Sequence, residues 1–491
     1  MTDVARSGVK GLDDILSGGF SRGRLFLLEG SPGAGKTTLA TQFLIEGAAQ
    51  GEKCLYITLS ETEDELRHSA RSHGWDLAGV DVFELVPPDS VLSEDQQQSL
   101  LYSSDLELGE TTKRMLSVLR ELKPDRVVLD SLSEIRLLAQ SSLRYRRQIL
   151  ALKHFFASQM ITVLMLDDLT ADIGDKTVHS VAHAVVRLEE LSPDYGPERR
   201  RMRVIKYRGR KYRGGYHDFV IETGGLKIFP RLVSAEHKRD FSRDLVTSES
   251  PELDALLGGG IERGSSILLL GPAGAGKSLL VLTFVVAALR RGESAAMFIF
   301  DEEIGLLFAR AAGLGMDMQG MVDSGRLLIE QVDAAEMSPG EFSERVRLCV
   351  EQHEVRTIVI DSLNGYQASM PEENALILHM HELLQYLNRQ GATTFLTVAQ
   401  HGLVGDMKTP VDITYLADTV VLLRYFEAAG QVRRAVSVIK KRTGAHEYTI
   451  REFCIGRDGV VLGDPLVNFQ GVLRGVPSFL GDAPALLSDQ P

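Results

Sequence analysis

The sequence predicts an α/β protein made of two tandem copies of one domain, each a mainly parallel, doubly wound sheet with antiparallel edge strands. Three observations support this fold class: a glycine-rich motif that occurs twice, a regular spacing between matching landmarks, and apolar runs that alternate with helical segments. Continuous apolar strands alternating with helices are typical of a parallel sheet covered on both faces. Right-handed crossovers then place ligands at the carboxyl ends of the strands.

The duplication is visible in landmarks that keep their distance along the chain. The lysines of the two glycine-rich motifs, Lys36 and Lys277, lie 241 positions apart. The same interval separates matching Leu-Asp pairs upstream and matching Gly-x-Asp triplets downstream. The interval falls to 231 between Asp130 and Asp361, which places about ten extra residues in the first copy, within 87–110. Because the order holds across four landmarks, the sequence indicates a tandem duplication.

Composition then sets the predicted boundaries. Residues 1–233 form the first predicted domain and residues 251–467 the second. Residues 234–250 are charged and polar without apolar periodicity, which is typical of a linker. Residues 468–491 fall outside the repeat and are predicted to form a C-terminal tail. The predicted parallel strands are 25–29, 54–59, 126–129 and 162–166, with counterparts at 267–270, 295–300, 357–360 and 394–398; the predicted antiparallel edge strands contain 202–205 and 435–439.

Charge and cysteine content limit the class of protein. The 491 residues include 54 Lys and Arg against 67 Asp and Glu, and the net charge of −13 disfavours nucleic acid as the main partner. The three cysteines are scattered without metal-ligand spacing, which is typical of reduced thiols. Residues 1–10 carry charges and no apolar stretch, and no apolar run reaches the roughly 18 residues of a membrane span. We therefore expect a cytoplasmic protein without a membrane partner.

Both glycine-rich motifs fit G-x-x-x-x-G-K-[ST], the P-loop pattern that binds the phosphates of a nucleotide. Its glycines let successive backbone N–H groups turn toward the phosphates, and the next helix adds its positive dipole end. Lys36 and Lys277 are expected to reach the β- and γ-phosphates of ATP, and Thr37 and Ser278 to place a hydroxyl on Mg²⁺. The predicted ATP-binding residues are Gly30, Ser31, Pro32, Gly33, Ala34, Gly35, Lys36, Thr37, Thr38, Gly271, Pro272, Ala273, Gly274, Ala275, Gly276, Lys277, Ser278 and Leu279.

Acidic residues end the strands beside the P-loops. Asp130 and Asp361 each close an apolar run and are expected to hold Mg²⁺; an aspartate that only caps a turn is the alternative. Glu61 in the first copy and Asp301 with Glu302 in the second are the candidate catalytic residues, because a carboxylate there can accept a proton from water. Acids that merely begin a surface helix are the alternative. Because only the second copy has two adjacent acids, we expect stronger chemistry there.

A basic run over 199–213 has two interpretations. Lys206 and Arg208 recur as Lys440 and Arg442, and such a pair can cross a subunit interface to stabilise charge on a neighbour's γ-phosphate. A groove of basic residues and tyrosines that tracks a nucleic-acid strand is the alternative. The Lys-x-Arg spacing occurs in both copies, whereas the arginine-rich flank occurs once. The repetition favours phosphate contact in trans.

Taken in order, these motifs resemble the KaiC family, the two-domain RecA-like P-loop NTPases that include the circadian clock protein of cyanobacteria. The resemblance covers about residues 5–462: the Leu-Asp openings, both P-loops, the acids after them and the Lys-x-Arg endings. It implies a homo-hexameric double ring with ATP and Mg²⁺ between subunits, slow ATP hydrolysis, and serine/threonine autophosphorylation in the C-terminal ring. Signalling proteins, KaiB-like or a histidine kinase, are the partners that such a ring would have. The tail at 468–491 does not resemble the family's clock-partner peptide, so no clock role is implied.

The sequence also departs from the family's pattern. The family's paired catalytic glutamates become Ser60 and Glu61 in the first copy and Asp301 and Glu302 in the second. Ser60 therefore disfavours hydrolysis in the first ring. The adjacent serine and threonine phosphoacceptors of the clock protein fall on Thr414 and a tyrosine. The resemblance thus makes Thr414 the candidate phosphoacceptor, and the tyrosine disfavours a two-site cycle.

Three functions stay open from the sequence. The first is a KaiC-like ring that hydrolyses ATP, with a candidate autokinase in its C-terminal domain, acting in signalling or timing. The second is a RecA-like DNA recombinase or helicase, which the basic run at 199–213 suggests and the acidic net charge disfavours. The third is an assembly scaffold gated by nucleotide binding without useful turnover.

Overall fold

The chain divides into two compact units, Met1–Arg231 and Leu232–Pro491, and each is described by itself. None of the described helices combines the length and apolar character that a bilayer crossing requires. The computed structural model describes residues 3–85, 100–169, 177–192, 196–367, 370, 373–400, 414–428, 430–456, 459–474 and 478–479.

The first unit alternates strands and helices in the predicted manner. Its strands are Val4–Ala5 (β1), Phe20–Ser21 (β2), Leu25–Gly30 (β3), Cys54–Thr58 (β4), Val80–Glu84 (β5), Arg126–Asp130 (β6), Thr162–Asp168 (β7), Ala184–Leu191 (β8), Arg199–Tyr207 (β9), His217–Glu222 (β10) and Gly225–Phe229 (β11). Its helices are Leu12–Ile15 (α1), Lys36–Ala49 (α2), Glu63–Ser72 (α3), Leu100–Leu122 (α4), Leu132–Ala139 (α5), Ser142–Ser158 (α6) and Thr177–Val181 (α7).

The second unit repeats this succession. Its strands are Leu245–Val246 (β12), Ile261–Glu262 (β13), Ser266–Gly271 (β14), Ala295–Ile299 (β15), Leu327–Gln331 (β16), Thr357–Asp361 (β17), Thr393–Ala399 (β18), Thr419–Ala428 (β19), Gln431–Lys441 (β20), Arg451–Gly456 (β21), Gly459–Pro465 (β22), Phe469–Gln470 (β23) and Ser478–Phe479 (β24). Its helices are Pro251–Leu256 (α8), Lys277–Arg290 (α9), Ile304–Ala312 (α10), Met318–Asp323 (α11), Pro339–Gln352 (α12), Leu363–Gln367 (α13) and Glu373–Arg389 (α14), with short 3-10 helices at Ser234–Glu236 and Val472–Arg474.

Each unit is built on a nine-stranded sheet, and the two sheets have the same strand order. The first runs β5-β4-β6-β7-β3-β8-β9-β10-β11 and the second β16-β15-β17-β18-β14-β19-β20-β21-β22. The strands from β5 to β8 are parallel, whereas β9, β10 and β11 are antiparallel additions at one edge. The second sheet has the same division. The predicted fold class, a duplicated parallel sheet with antiparallel edge strands, is confirmed.

The strand that leads into each P-loop lies in the middle of its sheet and is buried on both faces. Phe26 and Leu28 of β3 join one apolar cluster, while Leu25 and Leu27 join the cluster on the other face. In β14, alternate residues likewise divide between two clusters. A strand with two buried faces needs a continuous apolar run, which is the pattern that the sequence showed. This burial fixes the position of the loop that follows.

The segments predicted as linker and tail contain some regular structure. Residues 234–250 hold the 3-10 helix Ser234–Glu236 and strand β12, which pairs with β13. Within 468–491, the described residues form β23, a 3-10 helix and β24. Val472 is buried against Phe426 and Ala435 of the β19–β20 hairpin. These short elements belong to the second unit.

Candidate nucleotide sites

The P-loop of the first domain connects β3 to α2. Gly35 precedes the helix with a φ of 93°, a left-handed conformation that favours glycine. Lys36 is buried, and its Nζ donates to the carbonyl oxygens of Gly30 at 2.9 Å and Ser31 at 2.8 Å. The lysine therefore folds back over its own loop, beside the N-terminus of α2, where a phosphate group would bind.

The P-loop of the second domain has the same geometry. Gly276 has a φ of 103°, and α9 begins at the next residue. The Nζ of Lys277 donates to the carbonyl oxygens of Gly271 and Pro272, both at 2.9 Å. Burial lowers the pKa of Lys277, and the nearby carboxylate of Asp361 opposes that shift. The predicted ATP-binding residues of both copies thus lie on matching strand-loop-helix turns.

One contact distinguishes the two P-loop lysines. The Nζ of Lys36 forms an ion pair with Oδ1 of Asp168 at 2.7 Å. Asp168 ends β7 and is paired in register with Gly30, whereas the partner of Gly271 is Ala399. The sequence reasoning missed Asp168, although two aspartates closing an apolar run are the same signal that identified Asp130.

The candidate magnesium ligands of the first domain lie together. Oγ1 of Thr37 donates to Oδ2 of Asp130 at 3.2 Å, and the hydroxyl of Tyr56 donates to the same oxygen at 2.6 Å. Burial raises the pKa of Asp130, although these two hydrogen bonds oppose the shift. Hydroxyl and carboxylate oxygens are the ligands that Mg²⁺ prefers, so Thr37 and Asp130 fit that ion.

The second domain places its magnesium candidates on matching elements. Ser278 lies in the first turn of α9, and Asp361 ends β17. Oδ1 of Asp361 accepts a hydrogen bond from Oγ1 of Thr397 in β18. A threonine from the neighbouring strand therefore orients this carboxylate, where the first domain uses Tyr56 of β4.

Glu61 follows β4 in a short turn. The hydroxyl of Thr58 donates to the backbone oxygen of Glu61 at 2.8 Å and accepts its N–H at 3.0 Å. Burial raises the pKa of the Glu61 carboxyl, and the negative charges of Asp130 and Glu65 raise it further. A carboxylate with raised proton affinity next to the phosphate site has the properties of a general base.

The two acids of the second domain have different surroundings. Oδ2 of Asp301 accepts a hydrogen bond from the hydroxyl of Ser362, the residue after Asp361. Glu302 instead receives two hydrogen bonds from the guanidinium of Arg310, at 2.9 and 2.8 Å. The structure thus brings Asp301 to the magnesium candidate and holds Glu302 against α10.

The Lys-x-Arg pairs lie at the opposite end of each sheet from the P-loops. The backbone N–H of Arg208 donates to the carbonyl oxygen of His183 at 3.0 Å, and the N–H of His183 donates to the carbonyl oxygen of Leu25 at 2.7 Å. Leu25 is the first residue of β3 and Gly30 is the last. At roughly 3.3 Å per residue, about 17 Å of strand separates the two ends.

The same separation holds in the second domain. The N–H of Arg442 donates to the carbonyl of Asp418, and the N–H of Asp418 donates to that of Ser266, both at 2.9 Å. Ser266 begins β14, and the P-loop follows its other end. Neither Lys-x-Arg pair lies near the P-loop of its own domain.

Each lysine of these pairs holds the segment that precedes the neighbouring strand, β8 in the first domain and β19 in the second. Nζ of Lys440 donates to the carbonyl oxygens of Thr414 at 2.9 Å and Ala417 at 2.8 Å. Nζ of Lys206 likewise donates to the carbonyl of His179, which marks His179 as the first-domain counterpart of Thr414. Burial lowers the pKa of both lysines, with the neighbouring arginines adding to the shift. Thr414, the candidate phosphoacceptor, therefore lies directly beside the Lys-x-Arg pair of its own chain.

Much of the arginine-rich flank is paired within the sheet. Arg200 contacts Glu190 at 3.0 Å and Arg201 contacts Glu189 at 2.9 Å, both across the β8–β9 ladder. The guanidinium of Arg201 also lies 3.9 Å from the centroid of the Tyr216 ring. These partners offset the charge that a nucleic-acid groove would use.

Two P-loops on duplicated sheets, each with a Lys-x-Arg pair at the far end, define the sites. The family model described as "ATPase: KaiC" matches the chain twice, over residues 5–233 and 246–466. The chain belongs to the KaiC family of ATPases. The predicted resemblance and the RecA-like P-loop NTPase fold are thereby confirmed, and ATP is the nucleotide that the family's activity implies.

Curated relatives of the family match almost the whole chain. The circadian clock protein KaiC3 of Synechocystis sp. is 29% identical over 486 residues, which are 96% of this chain and 94% of that protein. The circadian clock oscillator protein KaiC of Picosynechococcus sp. is 29% identical, covering 96% of this chain and 92% of its own. That of Synechococcus elongatus is also 29% identical, over 96% and 91%. The similarity to KaiC proteins thus extends across both domains.

Proposed function

We propose that this protein is a KaiC-like ring ATPase in which each nucleotide is bound between two subunits, with autokinase activity in the C-terminal domain and a role in signalling or timing. The observation that carries the proposal is the separation of the P-loop and the Lys-x-Arg pair by the length of a strand in each domain. A head-to-tail ring joins two different faces of the subunit. In the proposed ring, these faces are the amino end of one sheet and the carboxyl end of the next. Each site is then completed by the neighbouring chain.

For hydrolysis in the first domain, Lys36 would leave the loop carbonyls and contact the β- and γ-phosphates. Mg²⁺ held by Thr37 and Asp130 would offset charge on the phosphate oxygens. Glu61 would accept a proton from the attacking water, and its raised pKa favours that transfer. Lys206 and Arg208 of the neighbouring subunit would stabilise the charge that builds on the transferred phosphate.

In the second domain the same parts would serve hydrolysis and phosphorylation. Asp301, which accepts a hydrogen bond from Ser362, would act as the base, while Glu302 would have to leave Arg310 to assist. Lys440, which would contact the γ-phosphate on the adjacent subunit, holds the backbone of Thr414. In the kinase step, the Thr414 hydroxyl oxygen would attack the γ-phosphorus, its proton would pass to the base, and ADP would leave.

Native mass spectrometry of the full chain with and without ATP and Mg²⁺ tests the assembly. We expect a ring of about six chains with ATP, carrying two nucleotides per chain, together with release of phosphate. A protein that stays monomeric with ATP and hydrolyses none of it would contradict the proposal. A ring that binds ATP without turnover would support the scaffold alternative instead.

Phosphopeptide mapping after incubation with ATP tests the kinase step separately. We expect phosphate on Thr414, absent in Thr414→Ala and retained in Tyr415→Phe. Thr414 is the only one of the two hydroxyl residues whose class matches a serine/threonine kinase, and the exposed Tyr415 serves as the matched control. Phosphate on another residue would remove Thr414 from the proposal and leave ATP hydrolysis intact.

The paired state of the arginine flank supports ATP, not nucleic acid, as the polyanion of this protein. Salt-sensitive binding of single-stranded DNA that stimulates ATP hydrolysis would revive the recombinase or helicase alternative.

A further inference from the structure

A basic cavity lies at the amino end of the first-domain sheet. It has a volume of about 270 Å³ and is lined by Arg24, Lys153, His183 and Arg208 around the apolar ring of Phe156. The two arginines are exposed, and Lys153 and His183 are half-buried. Among the described residues that line the cavity, none is acidic. Three permanent cations therefore surround a small space without a carboxylate among them.

The second domain shows how the charge of the matching arginine, Arg442, is balanced there. His183 and Asp418 occupy equivalent backbone positions. The N–H of each donates to the carbonyl oxygen of the first residue of the central strand, and the carbonyl oxygen of each accepts from the N–H of the arginine in the Lys-x-Arg pair. Oδ1 of Asp418 pairs with Arg442 at 3.3 Å. Oδ2 of Asp418 accepts hydrogen bonds from the backbone N–H of Ser266 at 2.9 Å and from the Ser266 hydroxyl at 3.0 Å. In that domain the arginine has an internal counter-ion.

The first domain lacks this carboxylate and adds positive charge. Ser265 of the second domain corresponds to Arg24, and buried Leu384 corresponds to Lys153, because α6 and α14 match residue for residue. Burial lowers the pKa of His183, and the charges of Arg24, Arg208 and Lys153 lower it further. Each difference between the domains makes the first-domain cavity more attractive to an anion.

We propose that this cavity binds a phosphate group through Arg24, Lys153 and Arg208. The phosphate would take the place that the Asp418 carboxylate fills in the second domain. Guanidinium groups bind phosphate oxygens through pairs of charge-assisted hydrogen bonds, and lysine adds a point charge. A volume just below the usual range of ligand pockets suits a phosphate or diphosphate group.

The phosphate could come from two sources. One is a free phosphorylated small molecule, which the cavity would bind in a single chain. The other is the triphosphate of a nucleotide held by the adjacent subunit, and this source rests on the proposed function because Arg208 belongs to the Lys-x-Arg pair. The two sources differ in whether ring assembly closes the cavity to free anions.

Calorimetric titration with inorganic pyrophosphate tests the site. The full chain carries Lys36→Ala and Lys277→Ala, so that neither P-loop competes for the probe. We expect about one pyrophosphate per chain. In this background His183→Asp installs the second domain's counter-ion and is expected to weaken binding at least about tenfold, while His183→Asn stays within about threefold.

A second pair of variants covers the case in which His183→Asp fails to fold. Arg24→Gln with Lys153→Gln should weaken pyrophosphate binding at least about tenfold. Arg71→Gln with Lys123→Gln removes the same charge from exposed positions of the same domain and should leave it unchanged. The proposal is overturned if the chain with Lys36→Ala and Lys277→Ala alone binds no pyrophosphate, or if adding Arg24→Gln and Lys153→Gln leaves binding unchanged. It is also overturned if the Arg71/Lys123 control variant weakens binding equally.

The source of the phosphate group is then identified by measuring pyrophosphate binding to protein with intact P-loops that has been assembled with a non-hydrolysable ATP analogue. Pyrophosphate binding that persists in the assembled ring supports a free phosphorylated ligand. Binding that disappears on assembly supports the neighbour's triphosphate. ATP hydrolysis, measured on the same preparations, tests the proposed function independently, since a ring can hydrolyse ATP whether or not this cavity binds phosphate.

Discussion

The two domains share their backbone and differ in the charged groups around it. In the first, Glu29 is buried in the strand before the P-loop, where it pairs with His179 at 2.6 Å and Arg187 at 2.7 Å. The same strand position in the second domain is Leu270. The first P-loop lysine has the carboxylate of Asp168 against it, and the second has Ala399 at that register. Duplication has kept the phosphate-binding turns while the side chains beside them diverged.

The loop motif therefore does not determine how a nucleotide site behaves. Both P-loops place glycine in the left-handed region and lysine over the loop carbonyls. The acids next to them differ: Glu61 has a raised pKa in the first domain, while Glu302 forms an ion pair with Arg310 in the second. The predicted advantage of the second domain, based on its two adjacent acids, stays a prediction that rates must decide.

The largest expected effect separates the catalytic acids. With the second domain silenced by Asp301→Asn and Glu302→Gln, Glu61→Gln should lower phosphate release about 10²- to 10⁴-fold, because the amide cannot accept a proton. Glu63→Gln, in the first turn of α3, where Glu63 pairs with Arg67, is the control and should keep the parent rate. The parent rate should also fall on acidification at a pH above the ordinary glutamate pKa of about 4.3, since only the ionised, raised-pKa carboxylate acts as base. Equal rates for Glu61→Gln and its parent would remove Glu61 from catalysis.

A smaller effect is expected on stability, and only in the first domain. Glu29→Gln should destabilise that domain by about 1–3 kcal/mol at neutral pH, because it removes the buried carboxylate that accepts from Arg187. Burial would raise the pKa of Glu29, but the His179 and Arg187 contacts outweigh it and lower the pKa. Its stabilising contribution is therefore present above the ordinary glutamate pKa and is lost as the pH falls toward the lowered value.

Amide hydrogen exchange resolved by domain measures this change without mixing the two unfolding transitions. Glu190→Gln is the matched control, since its surface pair with Arg200 should contribute no more than about 1 kcal/mol. Equal losses in the two variants, or a loss that is independent of pH, would show that the buried pair has no special role.

The smallest expected effect concerns nucleotide affinity. Asp168→Asn should tighten ATP binding to the first domain about three- to tenfold, because its carboxylate competes with phosphate for Lys36. Ala399→Asp should weaken binding to the second domain in the same proportion. Fluorescent nucleotide titration of each domain, with the other P-loop lysine changed to alanine, measures both. Asp167→Asn is the control, because Asp167 pairs with Arg136; unchanged affinity in Asp168→Asn would rule out the competition.

Much of the fold followed from local signals in the sequence. A strand buried on both faces needs a continuous apolar run, and a P-loop needs glycine at fixed positions, so Lys36, Lys277 and the strands around them could be placed without a structure. The antiparallel edge strands were also visible in the sequence, and residues 202–205 of β9 alternate between buried and partly exposed as predicted. Residues 435–438 of β20 are instead buried in succession, so the alternation predicted there was wrong although the strand was correct.

The contacts that distinguish the domains could not be predicted in this way. Asp168 meets Lys36 only because β7 lies beside β3 in a register that local spacing does not encode. Likewise, His183 and Asp418 lie 235 positions apart, an interval that no earlier landmark shares, so their equivalence needed the backbone hydrogen bonds. The pairing of Glu302 with Arg310 depends on how α10 leaves the turn.

In the proposed ring, a P-loop and a Lys-x-Arg pair from different subunits form one site. A mixing experiment tests it directly, in the background that carries Asp301→Asn and Glu302→Gln. Glu61→Gln subunits lack the base, and subunits with Lys206→Ala and Arg208→Ala lack the cations, so each protein alone should be inactive. Mixed in equal amounts and reassembled with ATP, they should recover about one quarter of the parent rate, because one interface in four joins an intact base to intact cations. A mixed ring, verified by native mass spectrometry, that releases no phosphate would contradict the claim.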